Sequence, residues 1–284
     1  MIARLAALAT LVALALVPLP AGAQDAGATG RWANGEPFRY HYFVTFWRAS
    51  PPGTTLGETP DEAARGRIFP AEIDYQSDAV PRAQAALFAR KARLAVDALL
   101  AQPSLREIRG FSLRPRIRID RFRSGRFSAS VSIFVTDLRL ALPTTVRSEG
   151  GYFTPDQPAA EIRVKINSLL DWNLEDPETL GSYNGTPVAI AKTEPFVYVT
   201  ANGRTPIVPG DTPRQSKQIY NMDFYDAALP PTRVQYVAAR AFYGSWHRGL
   251  WDGTAPPTGK VGRMVAAILM VDWRDLVRRM EAAG

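Results

Sequence analysis

The chain of 284 residues carries 34 Lys and Arg against 27 Asp and Glu, a net charge of +7, and 46% of it is hydrophobic. That balance excludes wholesale disorder and leaves enough apolar residues for a core of domain size. With no Cys and only 2 His, disulfides, thiolate metal sites and Cys nucleophiles are excluded, and imidazole chemistry is restricted to His41 and His247.

The first segment, MIARLAALATLVALALVPLPAGA, reads as an export signal. Arg4 supplies the positive n-region, an apolar run extends from Leu5 to Val17, and Ala21-Gly22-Ala23 matches the small-residue cleavage pattern. The run is short for a membrane span and is broken by Pro18 and Pro20, and no Cys follows it to carry a lipid. The expectation is a periplasmic or secreted protein, cleaved near Ala23, in which residues 24–284 form a single domain without a transmembrane segment.

The run FRYHYFVTFWR at 38–48 is dense in aromatic and β-branched residues and predicts a strand buried on both faces, with His41 as a structural residue inside it. Residues 51–66 predict a mobile polar loop. Asp78 reads as an N-cap and Pro81 as a first-turn residue of a long helix, with Leu87, Phe88, Leu94, Ala95, Ala98 and Leu99 on its buried stripe. Its Arg82, Arg90, Lys91 and Arg93 are expected to face water, and Gln102-Pro103 ends it.

From Leu113 the period changes to two. Leu113, Ile117 and Ile119 alternate with Arg114, Arg116 and Arg118, Ser124-Gly125 turns the chain, and Phe127 to Val135 alternates with Ser128, Ser130 and Ser132. This predicts an antiparallel hairpin, and Ile162, Val164 and Ile166 repeat the pattern. Asn202-Gly203, between 196–201 and 204–208, predicts a second hairpin whose return arm Pro206 confines to an edge. Residues 234–243 predict a strand. Thr258 opens a closing helix buried through Val261, Val265, Ile268, Val271, Leu276 and Met280. Strands in runs between helices predict an α+β fold: an antiparallel sheet built from hairpins, with a long N-terminal helix and a C-terminal helix packed on one face.

Ser245, His247 and Asp252 place a hydroxyl, an imidazole and a carboxylate in a Gly-flanked stretch, weak candidates for catalysis because triads assemble from distant segments and no G-x-S-x-G elbow is present. Trp246 and Trp251, with Tyr243, offer stacking faces of the kind that hold sugars. The acidic stretch at 171–178 lacks the Gly and Glu that a calcium loop requires at its sixth and twelfth places. No metal site, phosphate loop or cofactor motif is present.

The arginine ladder Arg114, Arg116, Arg118 projects from one strand face at intervals of about 6.6 Å, twice the per-residue rise. It suits an anionic envelope polymer better than nucleic acid, for which export and the scarcity of interleaved aromatic residues are both unfavourable. The leading expectation is a non-catalytic binding or envelope-associated module, engaging such a polymer or another envelope protein. A cofactor-free hydrolase using Ser245, His247 and a carboxylate, and a structural subunit of an envelope assembly, stand as alternatives.

Overall fold

The computed structural model describes residues 26–32, 35–50, 57–76, 81–157, 159–168, 178–191, 194–204, 206–208, 219–220, 225–243, 248–251 and 253–283. In chain order its helices are α1 (Ala26–Thr29), α2 (His41–Ala49), α3 (Pro60–Ala63), α4 (Arg82–Leu100), α5 (Pro103–Arg106), α6 (Arg248–Trp251), α7 (Lys260–Met270) and α8 (Trp273–Ala282). Its strands are β1 (Glu72–Tyr75), β2 (Phe111–Arg121), β3 (Phe127–Asp137), β4 (Val146–Ser148), β5 (Gly151–Phe153), β6 (Ala159–Ile166), β7 (Glu178–Tyr183), β8 (Thr186–Ala191), β9 (Glu194–Thr200), β10 (Ile207–Val208), β11 (Ile219–Tyr220) and β12 (Tyr236–Phe242).

The fold is mixed α+β with a large, mostly antiparallel sheet in the order β1-β2-β3-β6-β12-β9-β8-β7. Among the described strands only β1 runs parallel to its neighbour. The predicted β2–β3 hairpin forms through its Ser124-Gly125 turn, with Leu113 opposite Val135 and Ile119 opposite Ala129, and β6 joins β3. The last strand, β12, does not extend an edge. It fills the slot between β6 and β9, so that the two halves of the sheet meet on it.

Register explains where the core sits. Ile117, Val131, Val164, Ala239, Val197 and Val188 lie side by side across β2, β3, β6, β12, β9 and β8, and each is at most 1% exposed. Against these strands lie α4, at β2 and β3, and α7, at β6, β9 and β12, while α8 touches β9 and α4. Period two puts the neighbouring residues on the opposite surface, where Arg116, Ser132, Arg163 and Arg240 form the corresponding row.

Several expectations are corrected. From His41 on, the aromatic run at 38–48 forms helix α2, not a strand. Phe43, Val44 and Trp47 are buried at helical spacing, the Tyr42 hydroxyl donates to the Ala255 carbonyl at 2.8 Å, and the Trp47 indole donates to the Pro257 carbonyl at 3.0 Å. Packing against the segment before α7 thus overrides strand propensity. The closing helix is two helices: Val271 takes extended backbone, and the Asp272 carboxylate accepts from the Asp275 N–H at 2.9 Å as the cap of α8. All of the predicted stripe from Val261 to Met280 is nonetheless buried.

The Asn202-Gly203 turn forms, with Gly203 at φ 73, but joins no hairpin: β9 pairs with β12 and β8, while β10 pairs with β11 in a separate ribbon. The hairpin is one step earlier. Tyr183 pairs with Thr186 around Asn184 (φ 49) and Gly185 (φ 72), the positive pair a tight two-residue turn requires. In the predicted loop at 51–66, residues 51–56 lie outside the described residues and 57–66 are ordered. Thr59 and Glu62 form a capping box on α3, and Gly66 passes the Phe111 carbonyl so closely that a side chain would collide with it. The long helix follows three short ones. Its start is Arg82, the predicted cap Asp78 lying outside the described residues, and its Lys91 is buried rather than facing water.

Candidate functional site

The ladder is where sequence placed it. Arg114, Arg116 and Arg118 project from β2 on the surface opposite the core, with Ser132 and Ser130 paired to Arg116 and Arg118 and Phe134 to Arg114. What sequence reasoning missed is the carboxylate row beside them. Strand β1 sets Glu72 and Asp74 on the same surface, and Arg114 meets Glu72 at 3.0 Å while Arg116 meets Asp74 at 3.2 Å. Arg118 turns to Asp120 on its own strand at 3.5 Å. The signal was present in Glu72-Ile73-Asp74-Tyr75, whose acids repeat with the spacing of the arginines.

These pairs do not lock the guanidinium groups away. The side chains of Arg114, Arg116 and Arg118 are 52–53% exposed, and an ion pair in such a setting contributes roughly 0–1 kcal/mol. Arg114 and Arg116 each engage through Nη2 alone, so among the described residues their Nε–H and Nη1 groups are unspent.

A concavity of about 310 Å³ opens over this end of the face, with Glu72, Arg114 and Arg116 on one side. Phe134 and Thr136 of β3 form its base, and Phe153 and the turn at Asp156-Gln157 close the other side. Asp156 holds φ 58 in that turn, and Phe153 is fixed edge-on against Phe69 at 5.0 Å. The lining therefore combines two cations, two carboxylates, an amide and two aromatic rings. Such a set can bind a polar, anion-bearing ligand by several directed hydrogen bonds with ring contact.

The polar surface continues on β6. The Ser132 hydroxyl donates to Glu161 at 2.5 Å, and Glu161 is held by Arg163 through Nε at 2.9 Å and Nη2 at 2.6 Å. Arg163 and Arg240 both lie over the Phe242 ring, at 5.2 and 5.1 Å. Their stems and rings cover this part of the sheet.

His41 is not inside a strand. It opens α2, is half-buried, and its Nδ1 lies 2.9 Å from the Tyr183 hydroxyl. Burial, with a contribution from the Arg48 charge, holds its pKa below the usual 6.5, which favours the neutral ring. Ser245, Trp246, His247 and Asp252 lie outside the described residues, as does the acidic stretch through residue 177. Trp251 ends α6, and Tyr243 is partly buried against the core. Among the described residues no group of three or more His, Asp and Glu is gathered to hold a metal ion, and no helix is long and apolar enough to cross a membrane. No protein-family model, curated protein or solved structure matches the chain.

Proposed function

We propose that this is an exported, non-catalytic binding module that engages an anionic envelope polymer on the polar surface of its sheet. In this reading the long helix α4 and the C-terminal helices occupy one face, and the other face is the platform. The supporting observation is that Arg114 and Arg116 present unspent donors at a concavity of about 310 Å³ while their carboxylate partners hold them only through exposed pairs. An anionic chain laid along β2 meets a guanidinium about every 6.6 Å.

The expected result is salt-sensitive retention on an immobilised anionic polymer, lost when Arg114, Arg116 and Arg118 are changed together to Gln with the unfolding midpoint unmoved. Exposed charge contacts are screened beyond about 10 Å at 0.1 M ionic strength, so salt dependence distinguishes this from apolar adsorption. Retention of the triple variant equal to the parent at low salt defeats the reading.

Export has its own measurement. Protein recovered from outside the cytoplasm is expected to begin at Gln24 by intact mass. An intact Met1 on protein confined to the cytosol removes export from the proposal.

A further inference from the structure

A second and larger concavity, about 670 Å³, lies at the other side of the molecule's sheet order, between the end of β9 and the start of α8. Its charges are unlike those of the ladder. Arg204, Arg274 and Arg278 line it, and among the described residues Asp272 is its one lining carboxylate. Asp272 already accepts the Asp275 N–H at 2.9 Å as the cap of α8, and Arg278 is paired with Asp275 at 3.1 Å. Arg204 and Arg274 have no side-chain partner among the described residues.

Arg204 is nevertheless placed firmly. Its backbone N–H donates to Asn202 Oδ1 at 3.1 Å and its carbonyl accepts from the Thr200 hydroxyl at 2.6 Å, so the turn aims the residue while leaving the guanidinium unspent. Arg274 and Arg278 are one turn apart on α8, a like-charge spacing that disfavours the helix by a few tenths of a kcal/mol, and Arg204 adds a third cation to the same concavity. A bound anion relieves that repulsion.

The rest of the lining specifies what the anion is attached to. Val199 and Val277, on the facing surfaces of β9 and α8, are each 7% exposed, so the concavity has an apolar floor beneath its charged rim. Its volume falls in the range of roughly 300–1,000 Å³ typical of small-molecule sites. We propose that this cleft binds an organic phosphate, with Arg204 and Arg274 on the phosphate oxygens and the organic body against Val199 and Val277. Two unpartnered guanidinium groups match a phosphate monoester, which carries about −1.5 to −2 near neutral pH, better than a single carboxylate.

Titration calorimetry at low salt tests this with phenyl phosphate, inorganic phosphate and phenol as probes. Phenyl phosphate is expected to bind more tightly than inorganic phosphate, because only it reaches the floor, and phenol is expected not to bind. Arg204→Gln and Arg274→Gln should each weaken phenyl phosphate about tenfold or more, the scale of a hydrogen bond to a charged group. Both side chains are exposed, so thermal melting should be unchanged. A phosphorylated hexose and a short-chain soluble phosphatidic acid then distinguish a sugar phosphate from a lipid head group as the source; binding of either that depends on Arg204 supports the site. Triple replacement of Arg114, Arg116 and Arg118 should leave this binding intact, which separates it from the sheet-face reading. Failure of the parent to bind phenyl phosphate at millimolar concentration, or undiminished binding by both single variants, overturns the proposal.

Discussion

Replacing Glu281 with Ala is expected to lower stability by about 3–5 kcal/mol, the cost of stranding a buried charge. Glu281 reaches inward from α8 and its Oε1 accepts from Lys91 Nζ at 3.1 Å and from the Val234 N–H at 2.8 Å, while Oε2 pairs with Arg233 at 2.8 Å. Lys91 is 4% exposed, and its remaining partner is the Thr232 carbonyl at 3.0 Å. The carboxylate therefore ties α4 and α8 to the segment that leads into β12. Urea unfolding of Glu281→Ala, Lys91→Met and the variant combining Lys91→Met with Glu281→Leu checks this. The combined variant should recover part of the loss, because an apolar pair of similar volume removes both charges together but leaves the Val234 N–H without its acceptor. A loss below about 1 kcal/mol for Glu281→Ala would show that the buried pair does not hold these elements.

Lys91 also shows what the sequence could and could not say. It sits three residues after Phe88 and four before Ala95, inside the buried stripe by helical period, yet its residue type directs expectation toward water. The partner that makes its burial tolerable is on α8, and nothing local points there. Strands β2, β3 and β6 were legible because one surface of each is buried and the other polar, which imposes period two. Helix α2 was not, since nine residues rich in aromatic side chains satisfy either a buried strand or a buried helix turn.

The position of β12 is the deeper case. Its residues read correctly as a strand, but the sheet order requires it to enter between β6 and β9, a long-range choice made by partners rather than by its own pattern. The same limit applies to the sites. The ladder is a local repeat and was found in sequence, whereas its carboxylates came from β1, and the Arg204–Arg274 cleft joins a turn to a helix distant in the chain. Two Asn-Gly pairs illustrate the point at short range: both form turns with positive φ at Gly, but only Asn184-Gly185 is flanked by arms that pair with each other.

The second large effect is expected at Asn167, which fixes the start of β12 in that slot from the side of β3 and β6. Asn167 follows β6 at φ 55 and is 3% exposed. Its Nδ2 donates to the Phe127 carbonyl at 3.2 Å and the Arg233 carbonyl at 2.7 Å, and its Oδ1 accepts from the Gln235 and Tyr236 N–H groups at 2.8 and 3.2 Å. One amide thus uses its full bonding capacity to knot the ends of β3, β6 and β12. Asn167→Ala leaves buried backbone groups unpaired at roughly 1–3 kcal/mol each and puts a Cβ residue without a compensating side-chain bond at positive φ, so a net loss of about 4 kcal/mol or more is expected. Asn167→Gly should be less damaging than Ala by about 1 kcal/mol, which separates the backbone cost from the amide's. Asn167→Asp tests the donors alone: it keeps both acceptor bonds but turns a carboxylate oxygen toward the Phe127 and Arg233 carbonyls. Burial and those carbonyls raise its carboxyl pKa above the unfolded value, so the native state of this variant binds more protons. Its deficit relative to the parent should therefore shrink as pH falls toward the carboxyl range and widen as pH rises, whereas the Ala deficit stays flat. Chemical unfolding across that pH range decides the matter: an Asp variant as stable as the parent at neutral pH would mean that the two donated bonds contribute nothing to holding β12.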